Sequence, residues 1–125
     1  MRLRIDGNMR VQQLQEIFSQ NFPFLKIEIF KKMVNAPLRH SAQTKIAPGC
    51  FFKEILHFKE SDFEIEWKED MTVQELESQF EKNNGITAQV FRKSGNLWLE
   101  TTVTDQWTLK RQNDHGQEIS TPVKK

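Results

Sequence analysis

Residues Met9 to Pro23, MRVQQLQEIFSQNFP, return 62 positions later as Met71 to Gly85, MTVQELESQFEKNNG, with Met, Val, Gln, Leu, Phe and Asn at matching places. The correspondence continues on both sides. Upstream, Leu3 and Ile5 fall on Ile65 and Trp67; downstream, after a one-residue gap, Ile29, Phe30, Lys31 and Lys32 fall on Val90, Phe91, Arg92 and Lys93. A chain of 125 residues is long enough for one core and too short for two of comfortable size, so the copies are expected to share one. The expected domain is 1–118, built from repeats of about 1–60 and 61–118, with 119–125 a disordered tail.

Within each copy the hydrophobic period changes twice. Arg2-Leu3-Arg4-Ile5 and Glu64-Ile65-Glu66-Trp67 alternate with period two, the mark of a strand with one buried face. Val11, Leu14, Ile17 and Phe18, answered by Val73, Leu76 and Phe80, then mark one stripe of an amphipathic helix. Thr72 with Glu75 reads as a capping box, while Arg10 holds the equivalent place in the first copy. Alternation resumes in Leu25, Ile27 and Ile29 and in Ile86, Ala88 and Val90. Each copy is therefore β-α-β, and the expected fold is α+β: a ferredoxin-like two-layer sandwich of tandem repeats, with extra short helices and a C-terminal hairpin strand. In that layout the first strands lie side by side at the centre, which sets Arg2 and Arg4 next to Glu64 and Glu66. The charge balance agrees. Residues 1–60 hold ten Lys and Arg against five Asp and Glu, and residues 61–125 hold eight against twelve, so the halves complement each other.

The trailing part of each copy reads differently. Lys93-Ser94-Gly95-Asn96 is a hairpin turn into Leu97-Trp98-Leu99-Glu100-Thr101-Thr102, after which Thr104 or Asp105 caps a short helix through Trp107 and Leu109. In the first copy a polar loop, about Val34 to Gln43, replaces the hairpin, and Gly49 to Phe58 reads as a helix.

Little in the chain suggests chemistry. His40, His57 and His115 are scattered and none pairs at ligand spacing with another His or with Cys50, so no metal site is expected. Cys50 lacks a CxxC partner and reads as a small buried thiol in a reducing compartment. The carboxylates from Glu64 to Glu77 read as solvated faces and a cap, and neither glycine turn is a phosphate loop, so no cofactor is expected. No apolar run approaches the roughly 20 residues of a membrane span, which leaves the cytoplasm as the expected location.

The sharpest candidate surface is Phe30, Lys31 and Lys32 with Phe91, Arg92 and Lys93, joined by Trp98. Phe30 and Phe91 alternate against core residues, so both are expected on the other face of the sheet, on strands that are edges in a ferredoxin-like order. Two uses compete for that face. Aromatics beside cations can stack single-stranded nucleic acid; alternatively the trailing segments fold over the rings or a protein partner covers them. The second is favoured, and the expected function is a non-enzymatic protein-interaction or self-association module, with nucleic acid the alternative and no membrane contact.

Gly95 to Gly116, GNLWLETTVTDQWTLKRQNDHG, together with the MTVQELESQF helix, resembles a family of small bacterial α/β proteins that has no assigned activity. The shared pattern is an amphipathic helix introduced by Met-Thr-Val, a strand ending in Phe-Arg-Lys-Ser-Gly-Asn and a Trp-Leu-Glu-Thr-Thr strand. The resemblance implies a cytoplasmic bacterial α/β domain and brings no site residues.

Overall fold

The computed structural model describes residues 1–31, 44–55, 62–81 and 86–121. In chain order these form β1 (Arg2–Ile5), α1 (Val11–Asn21), β2 (Leu25–Lys31), β3 (Thr44–Lys45), a 3-10 turn (Phe52–Glu54), β4 (Phe63–Glu66), α2 (Val73–Glu81), β5 (Ile86–Ser94), β6 (Leu97–Glu100) and α3 (Leu109–Ser120). The fold is α+β, with three helices and two antiparallel sheets among the described residues.

The first strands do pair with each other. Arg2 stands opposite Glu66 and Arg4 opposite Glu64 in the β1–β4 ladder. Arg2 Nε lies 4.0 Å from the Glu66 carboxylate, while Arg4 turns to Asp62 at 2.6 Å. The sheet is not the single shared one of a ferredoxin-like order, however. β1 and β4 form a ladder of their own, and the second strands pair centrally in a separate sheet of order β3-β2-β5-β6. The reason lies in burial. β2 and β5 bury residues on both faces, including Glu28 and Gln89, and so take a neighbour on each side; β1 and β4 bury only Ile5 and Ile65 within their spans. Phe30 and Phe91 consequently sit on central strands, not on edges.

Among the described residues both copies contribute to one core. Val11, Leu14 and Phe18 of α1 and Val73, Leu76 and Phe80 of α2 are buried with Leu25, Ile27, Ile29, Ile86 and Val90 of the sheet and with Ile5, Ile65 and Trp67 of the ladder region. Phe18 meets the edge of Trp67 at 5.4 Å between centroids, and Phe63 lies edge-on to Phe80 at 6.2 Å. The expected capping box forms: Glu75 N–H donates to Thr72 Oγ1 at 3.1 Å, and Thr72 N–H to Glu75 Oε1 at 3.3 Å. In the first copy Arg10 N–H donates to Gln13 Oε1 at 2.8 Å.

The trailing segments, the most diverged in sequence, dock identically. Val11 and Gln12 N–H groups at the start of α1 donate to Cys50 and Pro48 carbonyls, while Phe52 and Lys53 N–H groups return to Met9 and Gly7. In the second copy Val73 and Gln74 donate to Trp107 and Asp105, and Leu109 and Lys110 return to Met71 and Glu69. These bonds satisfy helix N–H groups that have no partner inside the helix. They also correct the expected helix from Gly49 to Phe58. Residues 49–51 are not helical, the chain makes one 3-10 turn at Phe52–Glu54, and residues 56–58 lie outside those described.

At the equivalent place in the second copy the chain becomes α3. Its cap is Thr108, whose Oγ1 accepts from Arg111 N–H at 3.1 Å, rather than Thr104 or Asp105. α3 runs past the expected boundary at 118, and Ser120 Oγ accepts from Gly95 N–H at 3.0 Å. Gly116 lets it come close: a Cβ there would stand 3.0 Å from Phe24 Cβ and 3.2 Å from the Phe24 carbonyl oxygen.

Candidate interaction site at the sheet edge

Alternation and register sort the sheet residues onto two faces. α1, α2 and α3 pack on the face of Leu25, Ile27, Ile29, Ile86 and Val90. On the second face lie Lys45 of β3, Lys26, Glu28 and Phe30 of β2, Gln89, Phe91 and Lys93 of β5, and Trp98 and Glu100 of β6.

Of the residues singled out from sequence, Phe30, Phe91, Lys93 and Trp98 share that face. They are not one cluster. Phe30 is opposite Thr87 and Phe91 opposite Lys26, so the two rings stand four residues apart along the strands, about 13 Å at the strand rise. Arg92 is on the other face: Nη1 donates to Gln112 Oε1 at 2.8 Å, and the guanidinium lies 5.7 Å from the Trp107 ring centre. Lys31 is exposed at the end of β2, and Lys32 lies outside the described residues.

Residues missed in the sequence organise the face. Lys26 Nζ sits over both Phe91 and Trp98, 5.4 and 5.1 Å from their ring centres, and 3.5 Å from Glu28. Lys45 Nζ approaches the same carboxylate at 3.4 Å. The signal was present in Leu25-Lys26-Ile27-Glu28-Ile29, whose polar residues must share the face opposite the core. Cys50 is half-buried, and its hydrogen bond to Glu54 raises the thiol's pKa. No three His, Cys, Asp or Glu gather at metal-binding distance among the described residues. No described helix is long and apolar enough to cross a membrane.

β6 carries three consecutive exposed apolar side chains. Gly95, with φ +62°, leads a two-residue turn in which Asn96 keeps negative φ, a type II′ hairpin closed by the Ser94 and Leu97 pair. Every β6 residue is exposed, Leu97 at 66%, Trp98 at 37% and Leu99 at 42%, and among the described residues β6 ends the sheet. Backbone direction follows from the bond of Thr101 N–H to the Val90 carbonyl. Thr101, Leu99 and Leu97 turn inward to β5, so Trp98 and Glu100 turn their N–H and C=O groups toward the open edge.

Just beyond β6 the edge is closed by side chains. Thr101 Oγ1 donates to Val90 C=O at 2.8 Å, and Val90 N–H donates to Glu77 Oε2 at 2.8 Å. Burial pushes the Glu77 carboxyl up to about 7 despite that bond, with repulsion from Asp105, Glu81 and Glu100 adding to the effect. Gln15, the equivalent residue of the first copy, also reaches the backbone of its own second strand but with the opposite polarity, its Nε2 donating to the Ile27 carbonyl at 2.9 Å. Comparison with protein-family models, with curated proteins and with solved structures finds no match for this chain.

Proposed function

We propose that the chain is a non-enzymatic protein-interaction module that takes up a partner strand at the open edge of β6. The observation that supports this is the combination, on one edge, of outward backbone groups at Trp98 and Glu100 with the exposed side chains of Leu97, Trp98 and Leu99. A long apolar edge strand is a template for pairing with another chain, and soluble proteins usually blunt one that has no use. The proposed setting is the cytoplasm, where Cys50 stays a thiol.

Glu100→Pro tests the proposal, because it removes an outward donor while leaving the bonds of Leu97 and Leu99 to β5 in place. Association, with itself or with proteins retained from a lysate, is expected to be lost in the variant while its circular dichroism and melting stay close to those of the parent. Association that survives Glu100→Pro in a folded variant sinks the reading.

Single-strand binding on the second face is the alternative, and the shared placement of Phe91, Trp98 and Lys93 favours it. Against it, the ammonium of Lys26 already occupies the faces of both rings, and Glu28 draws on Lys26 and Lys45. Titration of a labelled oligonucleotide at low salt separates the two, since phosphate contacts are strongest there. Binding that is lost in Phe91→Ala but kept in Glu100→Pro would put nucleic acid in the partner's place.

A further inference from the structure

We infer that the occupant of the β6 edge is a second copy of this chain, paired antiparallel across a two-fold axis through Leu99; this rests on the edge-strand reading above. The outward groups fall at Trp98 and Glu100, two residues apart, so a two-fold copy satisfies both strands at once. Trp98 pairs with Glu100 of the partner subunit, Glu100 with the partner's Trp98, and Leu99 meets its own counterpart on the helix-bearing side. Such an isologous contact closes at two subunits and joins two four-stranded sheets into one of eight.

Charge supports the register. Lys93 stands opposite Trp98, and neither Lys93 nor Glu100 makes an ion pair among the described residues. The pairing sets the partner's Glu100 beside Trp98, on the far side from Lys93. The separation is about 10 Å between backbones, two strand spacings, which a lysine and a glutamate span over the intervening ring. Two such pairs form per dimer. The other edge makes the contrast. There Lys45, the equivalent of Glu100, is already held by Glu28, and Pro48 follows three residues later.

Light scattering coupled to size-exclusion chromatography across a concentration series, on the full chain, decides the matter. The expected result is a concentration-dependent dimer that goes no further, weakened about three- to tenfold by Glu100→Lys or Lys93→Glu alone and restored when both are combined. The charge variants keep the test open should Glu100→Pro fail to fold. A chain monomeric at every concentration, whose Glu100→Pro-sensitive partner is another protein, overturns this inference and spares the edge reading. Assembly indifferent to Glu100→Pro, Glu100→Lys and Lys93→Glu overturns both. Growth beyond two subunits overturns the two-fold.

Discussion

The two outer edges of the four-stranded sheet come from equivalent residues of the two copies and are finished in opposite ways. Lys45 opposite Phe30 corresponds to Glu100 opposite Phe91, and Thr44 opposite Lys31 to Leu99 opposite Arg92. On the first edge the strand is two residues long, its lysine is neutralised by Glu28, and a proline follows. On the second it is a full hairpin strand with exposed leucines and a glutamate left without an ion partner among the described residues. Gln89, which replaces Glu28, is uncharged, and Thr87 replaces Lys26. Short strands, lysines and prolines are the devices that keep sheet edges from pairing, so the first copy's edge carries them and the second copy's edge does not.

The docking segments make the same backbone bonds in both copies. Phe52 and Leu109 hold equivalent places, both fully buried. Phe52→Ala is expected to cost about 3–5 kcal/mol and Leu109→Ala about 2–5 kcal/mol in denaturant unfolding. A loss confined to one variant would break the equivalence. Gly116 belongs only to the second copy. Gly116→Val is expected to cost about 1–3 kcal/mol, because the added atoms meet Phe24 and Arg92 at close range and the Phe24 carbonyl cannot rotate away.

Gln15 and Glu77 sharpen the contrast with pH. The folded Glu77 carboxyl titrates near 7, above its ordinary value of 4.5. Between those values the folded state binds the extra proton, so the stability Glu77 contributes is present below about 4.5 and is lost as pH rises through 7. Glu77→Gln copies the first repeat, keeps an acceptor for Val90 N–H, and is expected to stabilise the protein by about 1–3 kcal/mol at pH 8 with little effect at pH 4. Melting curves of both proteins across that range check it; a gain of equal size at both ends would remove the titration from the account. The smallest effect is expected from Lys45→Glu, under about 1 kcal/mol in stability, since the lysine is more than half exposed. It frees the first edge of its neutralised lysine, and a new association at that edge in light scattering would show how little closes it.

The repeat, the helical stripes, the capping box at Thr72 and the hairpin turn at Gly95 were legible in the sequence because each rests on local periodicity or on a residue with restricted conformations. The pairing of Arg2 and Arg4 with Glu64 and Glu66 was legible through charge. What escaped was the division into two sheets. Alternation says which face a residue takes but not which strand lies beside it, and Glu28 and Gln89, buried on the second face, were the only mark that β2 and β5 are central. The docking of 48–53 and 105–110 escaped because it uses backbone groups, which any side chain leaves available. Arg92 was assigned to the wrong face for a plainer reason: following Phe91, it must point the opposite way.

The backbone bonds at the two helix starts bind each trailing segment to the helix of its own copy, whereas β1 pairs with β4 and β2 meets β5 across the middle. Each copy thus closes its own helix and supplies its own outer strand, while β1–β4 and β2–β5 pair across the two copies. The arrangement resembles that of a two-fold homodimer carried on a single chain. With both halves in one chain, the shared interface cannot dissociate and the two outer edges need not be alike. A symmetric pair would present the same edge twice and could extend from both; one chain with one closed edge can add a partner on one side and stop.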